Sequence, residues 1–85
     1  MKYFIYILLC NDNTFYIGYT NNLEKRIAKH NIKKGAKYTM GRTPVVLKYS
    51  EGFNTLSEAL KREYQLKKLT KTGKEKILLE TFSGV

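Results

Sequence analysis

The sequence predicts an α+β fold, a small three-stranded antiparallel sheet flanked by helices in the order β-β-α-β-α-α. Three observations carry this reading. Two apolar, aromatic-rich runs, residues 3–10 and 15–19, are separated by the polar cluster Asn11-Asp12-Asn13-Thr14, the pattern of an antiparallel hairpin. Capping-box pairs, Asn21 with Glu24, Thr55 with Glu58 and Thr72 with Glu75, mark three helix starts. Pro44, the single proline, opens a third strand-like run. A small sheet with helices segregated along the chain is an α+β arrangement.

Each element follows from its residues. Tyr3 to Cys10 are branched, aromatic or otherwise apolar side chains, as a buried strand requires. Asn11 to Thr14 is turn chemistry, and Phe15-Tyr16-Ile17-Gly18-Tyr19 returns as a second strand. A helix capped by Asn21 is expected from about Asn22 to Ile32. Residues 33–43, with Gly35 and Gly41, read as a basic loop. A strand runs from Pro44, at its first position, to about Tyr49. Thr55 opens a helix to about Leu69, and Thr72 a shorter one through Leu79.

The chain has 85 residues, which predicts one domain over 1–85. Such a domain buries only about 60–65% of its unfolded surface, so its core is thin. With a single cysteine, Cys10, no disulfide framework reinforces it; a lone thiol fits a reducing compartment, and Cys10 reads as a small buried strand residue. The apolar run after Lys2 ends in Asn11-Asp12-Asn13 without a small-residue cleavage site, unlike a signal peptide. It is also far shorter than the ~20 residues of a membrane span. The expectation is a cytoplasmic protein without a membrane partner.

The net charge is +9, from 16 basic and 7 acidic side chains. Residues 25–50 hold Lys25, Arg26, Lys29, Lys33, Lys34, Lys37, Arg42 and Lys48 and no acid; residues 61–76 hold seven more basic residues against Glu63 and Glu75. A field of one sign attracts polyanions. Nucleic acid is the first candidate, an anionic membrane the second, and plain solubility the bland alternative.

Two helices carry residues that burial alone would not choose. In the first, Leu23, Arg26, Ile27 and His30 share one stripe at i, i+3, i+4, i+7, so a guanidinium and an imidazole point inward. Snorkelling and a satisfied boundary histidine are the plain explanation. Lys25 and Lys29 lie further round and read as solvated. In the next, Leu56, Ala59, Leu60 and Glu63 repeat the pattern. A carboxylate there needs a partner: Arg26 in a structural ion pair, or a hard divalent cation, which takes one or two carboxylates plus waters and phosphates. The seven tyrosines are largely accounted for by strand propensity and packing; those near Arg, His and Glu have the chemistry for proton transfer or phosphate contact.

These residues fall in a family pattern. Phe4-Ile5-Tyr6 followed by Tyr16-Ile17-Gly18 resembles the paired strand motifs of the GIY-YIG nucleases, with Phe4 standing at the first glycine. Gly18-Tyr19-Thr20, Leu23, Arg26 and His30 match that family's first helix, and Glu63 in Lys61-Arg62-Glu63-Tyr64 falls at its metal-binding glutamate. Gly35-Ala36-Lys37-Tyr38-Thr39 with Arg42 and Pro44 looks like the loop of the compact stand-alone bacterial branch. The resemblance spans nearly the whole chain.

The resemblance implies phosphodiester hydrolysis with one divalent ion, Mg²⁺ or Mn²⁺, held by Glu63. It implies catalytic roles for Tyr6, Tyr16, Arg26, His30 and Glu63. Tyr6 or Tyr16 would position water and relay its proton, His30 would take that proton onward, and Arg26 would stabilise phosphate charge. Because a free phenol is a poor base at neutral pH, Arg26 and the metal are expected to favour the phenolate. Thr20 would donate to phosphate or cap the helix. Lys29, Lys34, Lys37, Thr39 and Arg42 would bind the nucleic-acid backbone, with strong weakening by salt. The expected partner is nucleic acid, DNA before RNA, with structure-specific cleavage and a protein partner for targeting as options, the chain acting as a monomer or weak homodimer. A catalytically inactive nucleic-acid-binding module of the same fold is the rival reading. A protein-interaction domain whose charge serves only solubility is the third.

Overall fold

The computed structural model describes the backbone of residues 2–83 and side chains as far as Leu78. Strands β1 (Tyr3–Leu9) and β2 (Phe15–Thr20) precede helix α1 (Leu23–Asn31), the single turn α2 (Lys37–Met40), strand β3 (Val46–Phe53) and helices α3 (Leu56–Lys67) and α4 (Lys71–Ser83). The α+β order stands as expected, with α2 an added helical turn inside the basic loop.

The sheet has order β2-β1-β3, antiparallel throughout. β1 takes the centre because it is the most apolar segment: Ile5, Tyr6, Ile7 and Leu8 have no exposed surface. Strand alternation sends these side chains to opposite faces. Ile5 and Ile7 join Ile17, Ala59 and Leu66, with Leu69, Ile77 and Leu78 packed around them, which places α3 and α4 on that face. Tyr6 and Leu8 join Cys10 and Val45, with Leu23 and Ile27 of α1 against the other face. Cys10 is buried one residue past the strand end. Among the described residues, no helix is long and apolar enough to cross a membrane.

Several element ends differ from expectation, each for a local reason. The cap of α1 is Asn22, whose Oδ1 accepts from Lys25 N at 3.1 Å. Glu24 therefore sits one position early for a capping box, although its charge still faces the helix N-terminus. Thr55 caps α3 as expected, with Glu58 closing on its side chain rather than on its backbone N–H: Glu58 N donates to Thr55 Oγ1 at 3.2 Å, and that hydroxyl donates to Glu58 Oε1 at 2.9 Å. Thr70 rather than Thr72 caps α4, accepting from Gly73 N at 3.2 Å. β3 starts after Val45, because the Asn31 side chain occupies that residue's backbone: Val45 N donates to Asn31 Oδ1 at 2.7 Å and Asn31 Nδ2 donates to Val45 O at 3.2 Å. The strand continues past Tyr49 because Tyr49, Glu51 and Phe53 alternate inward, and Arg62 of α3 pairs with Glu51 at 2.8 Å.

α1 ends in a Schellman turn. Lys34 N donates to Lys29 O at 2.9 Å and Lys33 N to His30 O at 3.1 Å, while Lys33 takes the left-handed conformation at φ 65°. The stripe on α3 is narrower than its spacing predicts. Ala59 and Leu66 are fully buried, whereas Leu56 and Leu60 lie more than a third exposed.

Candidate active site

A cleft of about 560 Å³ runs along edge strand β2, walled by residues of β1, β2, α1 and α3. It brings together Tyr6, Tyr16, Thr20, Arg26, Lys29 and Glu63. His30 lies behind Tyr6, fully buried. Lys34 and Lys37 are exposed outside the cleft wall.

Tyr6 sits where it does because Gly18 stands opposite it in the β1–β2 ladder. A β-carbon at Gly18 would come within 2.5 Å of the Tyr6 hydroxyl and 2.7 Å of its ring. The glycine is required so that the phenol can lie across β2. At its tip Tyr6 receives a hydrogen bond from Arg26 Nε at 3.3 Å and is hydrogen-bonded to His30 Nε2 at 3.0 Å. Burial raises the Tyr6 pKa above the ordinary phenol value, and the opposing Arg26 contact does not cancel it. Arg26 pulls the phenol in the expected direction, toward the phenolate, but burial outweighs it among the protein's own groups. Arg26 is held charged, first by its hydrogen bond to Tyr6.

His30 is enclosed on every side. Its Nδ1 lies 2.8 Å from Thr39 Oγ1, whose hydroxyl donates to Ala36 O at 2.9 Å. The Tyr16 ring lies 5.2 Å away, centroid to centroid. Burial first, and the Arg26 charge second, lower its pKa below the ordinary histidine value. Tyr16 in turn stacks on Tyr38 at 5.8 Å, and the Arg42 guanidinium covers the Tyr38 ring at 4.2 Å.

Two residues assigned to nucleic-acid contact are placed elsewhere. Thr39 is fully buried, and its hydroxyl serves His30. Arg42 is already engaged: Nε pairs with Asp12 Oδ2 at 2.8 Å and Nη1 donates to Tyr38 O at 2.8 Å. It ties the β1–β2 turn to α2. Thr20 lines the cleft but does not cap α1: its hydroxyl accepts from Asn22 N at 3.1 Å and donates to Asn22 O at 3.3 Å, in the turn before the Asn22 cap. Sequence reasoning missed Lys25 and Tyr19 as cleft residues. Lys25 follows Asn22 by one helical turn, a signal readable once the cap is known; Tyr19 shows its role only when the strand pairing is known.

Glu63 was expected to pair with Arg26 or a cation. Among the described residues its ionic neighbour is Lys67, whose Nζ is 3.6 Å away, too long for a direct hydrogen bond. The Glu63 side chain is only 15% exposed. No group of three or more His, Cys, Asp or Glu side chains stands together among the described residues, so no protein-only metal cage is formed. One carboxylate, held only by a loose ion pair with Lys67 in an otherwise cationic cleft, fits an ion that takes its remaining ligands from water and phosphate oxygens. With Lys25, Arg26 and Lys29 against this single acid, the cleft attracts anions.

Comparison with known proteins finds close relatives of the whole chain. The family model described as the GIY-YIG catalytic domain matches residues 2–76. A UPF0213 protein of Bacillus velezensis is 53% identical over 79 residues, covering 93% of this chain and 80% of that protein. One from Halobacterium salinarum is 49% identical over 71 residues, covering 84% of this chain and 92% of the relative. Two solution NMR structures, of a UPF0213 protein from Bacillus halodurans and of a protein from E. faecalis, superpose with TM-scores of 0.60 and 0.63. Each is 42% identical; they cover 92% and 100% of this chain, and 83% and 90% of their own.

Proposed function

This chain belongs to the GIY-YIG catalytic-domain family, and from that premise we propose that it is a divalent-metal-dependent endonuclease. It hydrolyses phosphodiester bonds in nucleic acid, DNA in preference to RNA. The observation that carries this reading is the shared cleft wall of Tyr6, Tyr16, Arg26 and Glu63, with His30 bonded behind Tyr6. An inert binding module has no use for a phenol bonded to a buried neutral imidazole, nor for a carboxylate in a cleft meant for phosphate.

The roles follow from the surroundings of each group. Arg26, charged and facing the cleft, binds the scissile phosphate and opposes the negative charge that grows on its oxygens. Lys25 and Lys29 hold the flanking backbone. Tyr16, half-buried in the wall, orients water against the phosphorus. As that water attacks, its proton passes to the Tyr6 oxygen while the Tyr6 proton passes to His30, which is neutral and able to accept it. Glu63 would hold Mg²⁺ or Mn²⁺, and the ion would supply Lewis-acid polarisation of the phosphate and of the leaving 3′-oxygen.

The test is a cleavage assay on labelled single-stranded, duplex, flap and RNA substrates with Mg²⁺ or Mn²⁺, using EDTA and Glu63→Gln as controls. Metal-dependent cutting that Glu63→Gln loses is expected. Salt-sensitive binding without cutting on any substrate would overturn the enzyme in favour of the inert module.

A further inference from the structure

His30 is the chain's one histidine, and its two ring nitrogens face different partners. The Thr39 hydroxyl has one proton and two partners within reach; the Ala36 carbonyl, 2.9 Å away, can only accept, whereas an imidazole nitrogen can donate, so both contacts are satisfied when that proton goes to the carbonyl. What Thr39 Oγ1 presents to His30 Nδ1, 2.8 Å away, is therefore a lone pair. A bond at that distance needs the hydrogen on Nδ1. A neutral imidazole carries only one such hydrogen, so Nε2 presents a lone pair to the Tyr6 hydroxyl at 3.0 Å, and that hydroxyl is the donor. Arg26 Nε supplies the hydrogen bond that the Tyr6 oxygen accepts. The reverse arrangement would give the Tyr6 oxygen two donors and turn its own proton out of the network.

A second observation shows that the pocket is built around the ring. A β-carbon on Gly35 would overlap His30 Nδ1 and come 2.9 Å from the His30 Cα. Glycine there lets the backbone at 35–36 close over the imidazole and brings the Ala36 carbonyl within reach of Thr39. With Thr39 itself fully buried, water does not substitute for its hydroxyl.

We infer that Thr39 is a positioning residue, which with Gly35 and the Ala36 carbonyl locks His30 in the Nδ1–H tautomer and so keeps Nε2 as the proton acceptor for Tyr6. Thr39, read in the sequence as a contact to nucleic acid, is with Gly35 and Ala36 a mould for the histidine.

The inference rests on the nuclease reading only for its effect on rate, and its main readout is independent of activity. Protein labelled with ¹⁵N-histidine gives one imidazole, so long-range ¹H–¹⁵N spectra report its tautomer directly. The wild type is expected to show a protonated Nδ1 and an unprotonated Nε2. Thr39→Val, close in size and lacking the acceptor, is expected to shift the proton to Nε2; Thr39→Ser keeps it on Nδ1. A wild type protonated at Nε2, or a folded Thr39→Val with an unchanged tautomer, would overturn the inference. If Thr39→Val does not fold, the wild-type spectrum alone decides. In cleavage, Thr39→Val is expected to lower kcat roughly 10–100-fold with KM little changed, and Thr39→Ser to restore most of it; equal loss in both would reduce Thr39 to packing. A chain that cuts nothing defeats the nuclease reading and leaves the tautomer result standing.

Discussion

Tyr6 lies across Gly18, its ladder partner, so closely that a single methyl group on the glycine would meet the phenol oxygen at 2.5 Å. Tyr6 is anchored by Arg26 and His30 and has no free direction in which to retreat. Gly18→Ala is expected to displace the hydroxyl and to lower cleavage on the order of 10²-fold. Overpacking should also cost about 1–3 kcal/mol in urea unfolding. A fully active Gly18→Ala would remove Tyr6 from the reaction.

The histidine gives a pH dependence of defined sign. Its folded pKa is lowered by burial and by Arg26, so the unfolded chain binds the proton first on acidification. The stability linked to a neutral His30 is therefore fully present above the ordinary value of about 6.5 and is lost as pH falls below it toward the folded pKa. The charged and titratable groups around the ring are Arg26, Tyr6 and Tyr16. An NMR titration of the His30 ring protons should give a midpoint below that of a free histidine; a midpoint above it would contradict the described environment.

Cleft lysines and the tethered arginine should behave differently toward salt. Lys29 lines the cleft, whereas Arg42 is engaged by Asp12, the Tyr38 carbonyl and the Tyr38 ring. Lys29→Ala is expected to weaken duplex binding and to reduce the slope of log K against log salt by about one. Arg42→Ala should leave that slope unchanged while loosening the β1–β2 turn, seen as faster amide exchange at Asn11, whose N–H bonds to Arg42 O at 2.8 Å. The opposite ranking would put the phosphate path over α2.

The Schellman turn after α1 is closed by a lysine in a conformation that suits glycine. Lys33 has φ 65°, and its side chain is exposed. Lys33→Gly is expected to stabilise the fold by about 0.5–1 kcal/mol, because the left-handed penalty disappears while both turn hydrogen bonds remain. Thermal unfolding measures it, and a lower midpoint would show that the lysine side chain contributes more than its backbone loses.

How much of this was readable in the residues depended on whether the cause was local. The hairpin was legible because the apolar runs are bounded by Asn11-Asp12-Asn13-Thr14, and α3 because Thr55 and Glu58 cap it unaided. The inward tilt of Arg26 and His30 followed from helical spacing. The cap of α1 was missed by one residue because Asn21 and Asn22 carry the same chemistry and only the path of the chain chooses between them. Thr39 was misread because its partner is nine residues away, around a turn that no periodicity in the loop announces. Glu63 kept its place in the cleft, but of the two partners its spacing allowed, Arg26 or a cation, the arginine is turned to the Tyr6 hydroxyl, and Lys67 one turn along α3 is the charge beside it.

Asn31 imitates a neighbouring strand, offering its amide to both backbone groups of Val45. The excursion from 32 to 44 thus leaves and returns through one clasp at the foot of the sheet. Loop closure grows so slowly with length that doubling such an excursion would cost only about 0.6 kcal/mol. The clasp separates two tasks, holding the sheet together and closing over the buried imidazole. Longer or differently sequenced excursions, grafted between the same two residues, would leave the sheet intact, provided each carries its own glycine and hydroxyl to receive the histidine.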